Sequence, residues 1–176
     1  MKTRWGENLD KANVLSEYPR PQLKRESYIN LNGVWQYAIT SADAVPEAMD
    51  GEIIVPFSPE CELSGVNRTV HPNESLWYTR HFDIPSGFNH GRILLHFGAV
   101  DQIATVYING CDAGSHVGGY TAFTIDITPY IRQENVITVK VRDFSDASYH
   151  SRGKQKTKRG GIWYTPQSGI WQTVWV

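Results

Sequence analysis

Acidic side chains are the first residues of this sequence that could do chemistry, because two facing carboxylates can hydrolyse a glycosidic bond as acid and nucleophile or base. The candidates are Glu60, Glu62, Asp101, Asp143 and Asp146. No spacing among them predicts that any two face each other. Asp143 and Asp146 stand on either side of a Phe-Ser dipeptide at a predicted strand end, where aspartate is a common turn residue. We therefore predict no catalytic residue in this chain.

Histidines, cysteines and glycines form no recognisable metal or cofactor motif. No two histidines have the i,i+4 spacing that places two ligands on one helix face. They are His71, His81, His90, His96, His116 and His150. Cys61 and Cys111 have no nearby partner ligands, so we expect free thiols. Gly118 and Gly119 lie in a turn context rather than between a strand and a helix, which argues against a nucleotide site. The prediction is no metal and no cofactor.

A locally basic stretch, residues 152–159, precedes Trp163 and Tyr164. Basic residues next to aromatic ones can bind nucleic acid, or they can form a solvated loop. The net charge of -1 favours the solvated loop and argues against a nucleic-acid partner. Aromatic rings beside polar side chains also suit carbohydrate, because sugar C–H faces stack on the rings while polar groups bond the hydroxyls.

The elements that must position these residues are short strands. Alternating apolar residues predict strands at residues 31–39, 52–55, 76–84, 92–97, 102–108, 122–127, 135–141 and 170–176. Asn109 and Gly110 predict a tight hairpin turn with both residues at positive φ. One helical turn is expected near residue 128, with Thr128 as N-cap and Pro129 at the first helical position. About eight short strands without helical periodicity predict an all-β fold, a β-sandwich of the jelly-roll type.

The remaining bulk properties are those of an ordinary globular domain. The chain has 176 residues, of which 40% are hydrophobic. It contains no apolar run of membrane-spanning length, and no leader-type stretch lies in its first 22 residues. A cytoplasmic location without membrane contact is the expectation. The predicted core includes Trp35, Trp77, Phe82, Phe97, Tyr107 and Phe123.

Several motifs in order resemble the N-terminal sugar-binding domain of glycoside hydrolase family 2, the group of β-galactosidases, β-glucuronidases and β-mannosidases. The stretches that carry the resemblance are residues 18–39, 74–85, 92–131 and 161–176, together with the Arg-Gly-Lys-Gln sequence at 152–155. The third stretch is the most specific, with its Asn-Gly turn followed by Gly-Ser-His-Val-Gly-Gly-Tyr and Asp-Ile-Thr. The resemblance covers about residues 13–176.

This resemblance implies a galactose-binding-domain-like jelly roll and a particular domain organisation. Residues 1–26 are expected to form an N-terminal extension that packs on the sandwich, and residues 27–176 the sandwich itself. In the family this domain precedes an immunoglobulin-like domain and a TIM barrel that holds both catalytic glutamates. The sequence shows no pattern of either domain, so residues 170–176 are expected to be the final strand of the sandwich. The expected partners of this domain are the immunoglobulin-like and barrel domains of the same enzyme.

The resemblance also implies which residues face the substrate pocket of the complete enzyme. One region follows the second predicted strand, and the other is the loop before Ser168 and Gly169. The expected substrate-binding residues are Phe57, Ser58, Glu60, Arg152, Gln155, Trp163 and Tyr164. The sequence departs from several relatives at one point, because no acidic residue lies just before the Ser168-Gly169 pair.

The function expected from these observations is that of an accessory, non-catalytic domain that shapes the pocket for a β-linked glycoside in a β-glycoside hydrolase. A stand-alone carbohydrate-binding module is one alternative, which would bind sugar by itself. A β-sandwich protein-interaction domain is another, and an exposed patch of Trp171 and Trp175 would favour it. A homo-oligomer is compatible with each.

Overall fold

The chain folds into an antiparallel β-sandwich, described here from a computed structural model that covers residues 2–176. A single helical turn, α1 (Arg4–Glu7), precedes the strands. The strands are β1 (Gly33–Thr40), β2 (Gly51–Val55), β3 (Ser75–Asp83), β4 (Leu94–Phe97), β5 (Val100–Asp101), β6 (Ile103–Ile108), β7 (Cys111–Val117), β8 (Phe123–Asp126), β9 (Glu134–Arg142), β10 (Gly169–Ile170) and β11 (Val174–Trp175). Short 3-10 turns occupy Glu62–Ser64, Thr128–Tyr130 and Ser145–Ala147. The predicted all-β sandwich is confirmed.

One large sheet and two small sheets enclose the core. The large sheet has the order β2-β1-β3-β9-β6-β7, and all its neighbours are antiparallel. The small sheets have the orders β11-β4-β8 and β10-β5. Side chains alternate along the strands, as in β9, where every second residue from Asn135 onward is buried. Buried residues from all three sheets pack in one hydrophobic cluster.

The predicted core residues differ in how deeply they are buried. Trp35, Trp77, Phe82 and Phe97 are buried as expected. Tyr107 and Phe123 are only half-buried, so their placement in the core was wrong. Tyr107 lies on the outer face of β6, where its ring stacks on Trp77 with centroids 6.4 Å apart. Phe123 stacks between Phe97 and His116 at 4.8 and 4.4 Å.

Two predicted turns have different outcomes. Asn109 and Gly110 have φ values of 53° and 82°, which confirms the tight hairpin between β6 and β7. The helical turn exists as Thr128–Tyr130, but its N-cap is Ile127 and not Thr128. The Thr128 hydroxyl accepts a hydrogen bond from the Ile93 backbone nitrogen at 2.8 Å, so it anchors a neighbouring segment instead of capping the turn.

Residues 170–176 were predicted as one strand, but the closing segment, residues 169–176, pairs with two small sheets in succession. Gly169 faces Asp101 in β5, and Val174 faces Phe97 in β4. Between these pairs, Gly98 donates its backbone N–H to the Thr173 carbonyl at 2.9 Å. The register changes by one residue along this path, so the closing segment contains one extra residue, as at a β-bulge.

Candidate functional site

Three carboxylates from distant parts of the chain surround Ser168, where the loop after β9 meets the closing segment. Glu60 Oε2 accepts a hydrogen bond from the Ser168 backbone nitrogen at 3.1 Å. The Ser168 hydroxyl donates to Asp143 Oδ2 at 2.8 Å. Asp101 pairs with Gly169 across β5 and β10. We call Glu60, Asp101 and Asp143 the carboxylate cluster.

The local structure explains how each member reaches the cluster. Asp143 directly follows β9 and continues its inward-facing alternation, and its Oδ1 accepts the Ser145 backbone nitrogen at 2.6 Å. Glu60 follows β2 by five residues, and its Oε1 also accepts the Val70 backbone nitrogen at 3.3 Å. Two members of the cluster therefore use their oxygens to hold backbone and hydroxyl groups, which positions the loop before Ser168.

Asp101 differs from the other two members, because its Oδ1 atom is buried without a hydrogen-bond partner in the described part of the chain. Only 4% of the residue is exposed. A Cβ atom at Gly119 would lie 2.3 Å from this oxygen, so only glycine allows the backbone to approach the carboxylate so closely. The Asp101 side chain is thus enclosed by the turn after β7.

Burial raises the pKa values of all three members of the carboxylate cluster, and the charges of its neighbours raise the pKa of Asp101 further. Desolvation, then the charges of Asp143 and Glu60, raise the pKa of Asp101 to about 7. Desolvation also raises the pKa of Glu60 and of Asp143, although the hydrogen bonds that both carboxylates accept oppose this effect. A proton can therefore be held in the cluster at pH values where exposed aspartates are ionised.

The structure joins three of the predicted site residues, Ser58, Glu60 and Gln155, into one hydrogen-bonded assembly. Ser58 bonds through its hydroxyl to Gln167 Oε1. Gln155 Oε1 accepts the Gln167 backbone nitrogen at 2.7 Å, and Gln155 Nε2 donates to the Tyr120 hydroxyl at 3.3 Å. Glu60 binds the next residue, Ser168. The segment after β2 and the loop before Ser168 are therefore in contact.

Trp163 and Tyr164 project from a tight turn in the loop that we call the closing loop, residues 148–168. Gly160 and Trp163 exchange two backbone hydrogen bonds of 3.1 Å. The Trp163 ring is half-buried beneath the Lys156 ammonium group, which lies 4.2 Å from the ring centroid. Tyr164 is 69% exposed. Both rings therefore lie at least partly at the surface.

The other two predicted site residues take separate positions. Phe57 is half-buried at the turn after β2, where its N–H bonds the Ile54 carbonyl at 2.9 Å. Arg152 is half-buried, and its Nε atom is enclosed without a hydrogen-bond partner among residues 2–176. A depression of about 310 Å³ opens beside the closing loop, and Glu60, Arg68 and Arg159 are among the residues that line it. That the seven predicted residues bind a substrate stays a prediction.

Sequence reasoning missed the cluster and one aromatic residue. The sequence offered Asp101 and Asp143 only as candidates for a catalytic pair, and no catalytic role was predicted for them. The alternation of β9 placed Asp143 on the inward face beyond Val141, and this signal could have identified it. Tyr120, which is 47% exposed, joins the site through Gln155. No sequence pattern links it to the closing loop, since the two are about 35 residues apart.

The described residues form neither a metal-binding cluster nor a membrane-spanning helix. Within residues 2–176, no group of three or more His, Cys, Asp or Glu side chains is arranged to hold a metal ion. Cys61 and Cys111 are both free thiols, as expected. None of the helices in the described part of the chain is long and apolar enough to cross a membrane.

Comparison with known proteins agrees with this architecture. Residues 64–175 match the family described as "Glycosyl hydrolases family 2, sugar binding domain". Because this match covers more than half of the sequence, the chain belongs to that family.

Individual relatives are much longer than this chain. It is 36% identical over 104 residues to a β-galactosidase of Thermoanaerobacter pseudethanolicus, a match that covers 57% of this chain and 13% of the relative. It is 32% identical over 105 residues to a β-glucuronidase of Formosa agariphila, covering 58% and 10%. Among solved structures, a β-glucuronidase from Ruminococcus gnavus in complex with uronic deoxynojirimycin superposes with a TM-score of 0.65 at 24% identity. That superposition covers 90% of this chain and 30% of the other, and it supports the shared fold.

Proposed function

We propose that this chain is an accessory, non-catalytic domain that shapes the substrate pocket of a β-glycoside hydrolase. The observation that carries the proposal is the contact between the segment after β2 and the closing loop, held by the carboxylate cluster at Ser168. This arrangement presents Tyr164 and Trp163 at the surface on a fixed support. Aromatic rings beside polar groups are a composition suited to sugars.

The proposal extends to the partners and setting of the domain. The ligand is a β-linked glycoside in the complete enzyme, where an immunoglobulin-like domain and a barrel that holds the catalytic glutamates adjoin this sandwich. The galactose-binding-domain-like jelly roll, residues 1–26 as an extension, and a cytoplasmic location are parts of the same proposal. The family membership and the names of the relatives support it.

A stand-alone carbohydrate-binding module is the second candidate, and the exposure of Tyr164 favours it. An exposed patch of Trp171 and Trp175 would have favoured the protein-interaction alternative. Trp175 is instead only 6% exposed, and Trp171 is half-buried and donates its indole N–H to the Gly119 carbonyl at 2.7 Å. These two residues therefore give that alternative no support.

Calorimetric titration of the 176-residue chain separates the two candidates. The titrants are galactose, glucuronate, mannose and short β-linked oligosaccharides. An accessory domain gives no saturable heat at the closing loop, because the rest of the pocket is supplied by other domains. Saturable binding that is lost in Trp163→Ala would establish a module instead. Far-ultraviolet circular dichroism of each sample shows that the protein is folded.

A second experiment tests the accessory role in the polypeptide that joins this domain to a catalytic barrel. Tyr164→Ala is expected to raise KM for the glycoside at least several-fold, because it removes a ring from the pocket rim. The matched control is Tyr149→Ala, since Tyr149 is 93% exposed and stacks only on the neighbouring His150. Equal kinetic constants for Tyr164→Ala and the wild type, across several β-glycosides, would contradict a pocket role for this loop.

A further inference from the structure

A cavity of about 410 Å³ lies on the outer face of β4, away from the closing loop. The strand supplies Leu94 and His96, the outward-facing members of its alternation. Residues 18–28, which we call the N-terminal arm, cross in front of the strand and form the opposite wall. The volume falls in the range of about 300–1,000 Å³ that is usual for small-molecule sites. None of the predicted site residues lines it.

One wall of the cavity is a set of aromatic rings in mutual contact. His96 stacks on Trp175 with centroids 4.9 Å apart and planes 17° apart. Tyr18 meets the Trp175 ring edge-on at 6.2 Å and the Tyr28 ring edge-on at 5.3 Å. The Tyr28 hydroxyl donates to the Ser16 carbonyl, which ties the arm in place. These contacts fix the rings before any ligand arrives.

The side chains in the cavity lining that can carry a charge near neutral pH are all basic. They are Arg25, Arg92, His90 and His96. Among the residues that the structure describes, no aspartate or glutamate lines it. Glu26 lines the adjoining depression, and Asp126 lies 3.7 Å from Arg92 in an exposed pair that leaves most of the guanidinium in solvent.

The excess of positive charge around the cavity also affects the pKa of His96. Desolvation is the main cause that lowers the pKa of His96, and the positive charges of Arg20 and Arg25 lower it further. An ionised imidazole is thus disfavoured by the neighbouring arginines. A negatively charged group in the cavity would experience the opposite effect and would be stabilised.

We propose that this cavity binds a sugar acid of monosaccharide size, with its carboxylate against Arg25 and Arg92 and its ring against the aromatic wall. Guanidinium groups bind carboxylates through paired, charge-assisted hydrogen bonds. The apolar face of a pyranose ring suits the surface offered by the half-buried rings of Tyr18 and Tyr28. The site is separate from the closing loop, so it does not depend on the function proposed there.

The test is a titration of the 176-residue chain with sodium glucuronate, followed by two-dimensional NMR of backbone and indole N–H groups. The chain is prepared with an amidated C-terminus, because Val176 lines the cavity and a free terminal carboxylate would compete with the ligand. We expect saturable shifts at the Trp175 indole and along β4. Glucose is the neutral probe and inorganic phosphate is the anion without a ring. Both are expected to bind at least about tenfold more weakly than glucuronate. Glucose lacks the carboxylate that the arginines bind, and phosphate lacks the ring that contacts the aromatic wall.

Variants assign the site. Arg25→Gln and Arg92→Gln are each expected to weaken glucuronate binding about tenfold or more, since each removes a charge-assisted hydrogen bond. The matched control is Arg4→Gln, which removes an exposed arginine in α1 that is in contact with Trp5. This control is expected to leave the binding unchanged.

Four results would overturn the proposal. They are the absence of saturation, equal binding of phosphate, insensitivity to both cavity substitutions, and an equal loss in the Arg4→Gln control. Loss of glucuronate binding in Tyr164→Ala alone would place the ligand at the closing loop. That result would refute the cavity site while supporting a carbohydrate-binding module, so failure here is distinguishable from failure of the accessory function.

Discussion

Replacement of Asp101 by asparagine is expected to stabilise this domain at pH values where the Asp101 carboxyl group of the unfolded chain is ionised, that is, above about pH 3.8. Asp101 Oδ1 has no hydrogen-bond partner in the described part of the chain, so the substitution breaks none at that atom. Asparagine has nearly the same shape and no charge. The repulsion from Asp143 and Glu60, which contributes to the raised pKa of Asp101, is removed.

The magnitude follows from the pKa of Asp101. A change from the ordinary value of 3.8 to about 7, at about 1.4 kcal/mol per pH unit, makes ionisation in the folded state cost up to about 4 kcal/mol. Because the folded-state pKa is raised, the stability linked to this group is fully present below pH 3.8. It is lost as the pH rises towards 7 and stays lost above that value. The difference between variant and wild type should therefore be near zero at pH 3, about 2 kcal/mol at pH 5 and up to about 4 kcal/mol at pH 8.

Urea unfolding followed by tryptophan fluorescence, at pH values from 3 to 8, measures this difference. Subtraction of the wild-type curve from the variant curve removes the contribution of groups that the two proteins share. The control is Asp83→Asn, which neutralises an exposed carboxylate at the end of β3. A free-energy difference that does not change with pH would refute the reasoning, and so would an Asp101→Asn variant that is less stable than the wild type at pH 8.

Three further substitutions test the packing around the cluster and the hairpin. Gly119→Ala should destabilise the fold by about 1–3 kcal/mol in urea unfolding, because its Cβ would lie 2.3 Å from Asp101 Oδ1; an unchanged midpoint would mean that the turn can move away. Gly110→Ala should cost only about 1 kcal/mol, since the positive φ of 82° is unfavourable but no atom lies within 4 Å, and a larger loss would reveal an unrecognised contact. Ser168→Ala should cost about 2 kcal/mol at neutral pH by removing the hydrogen bond to Asp143, and faster proteolysis of the closing loop should accompany it. Equal proteolysis rates in wild type and variant would argue that the cluster does not hold the loop.

Local patterns in the sequence were sufficient for the hairpin turn and for seven strands, which are β1, β2, β3, β4, β6, β8 and β9. The alternation of β9 and the Asn-Gly pair at 109 and 110 act over a few residues, and backbone sterics alone determine their outcome. Local patterns were insufficient for Tyr107, because its strand alternates apolar residues on both faces and only the packing of the sheets decides which face is inside.

The carboxylate cluster could not be derived from the sequence for a different reason. Glu60, Asp101 and Ser168 lie tens of residues apart, and their proximity depends on which strands are neighbours in space. The pairing of β5 with β10 is only two residues long and carries no pattern of its own. The family resemblance indicated that both loop regions face the substrate pocket of the complete enzyme, but it gave neither their mutual contact nor the buried acids that stabilise it.

The path of the closing segment has a consequence for when this domain can fold on the ribosome. Residues 169–176 pair with β5 and then β4, and Val176 exchanges two backbone hydrogen bonds with Ile29. The Asn32 side chain accepts the Val174 backbone nitrogen at 3.0 Å, across 142 positions of sequence. Contacts of such long range form late, because the chain between them must first be ordered. While residue 176 is still inside the ribosomal tunnel, β4 and β5 therefore lack the closing segment that pairs with them. Their edges stay open to chaperones until synthesis has passed that point.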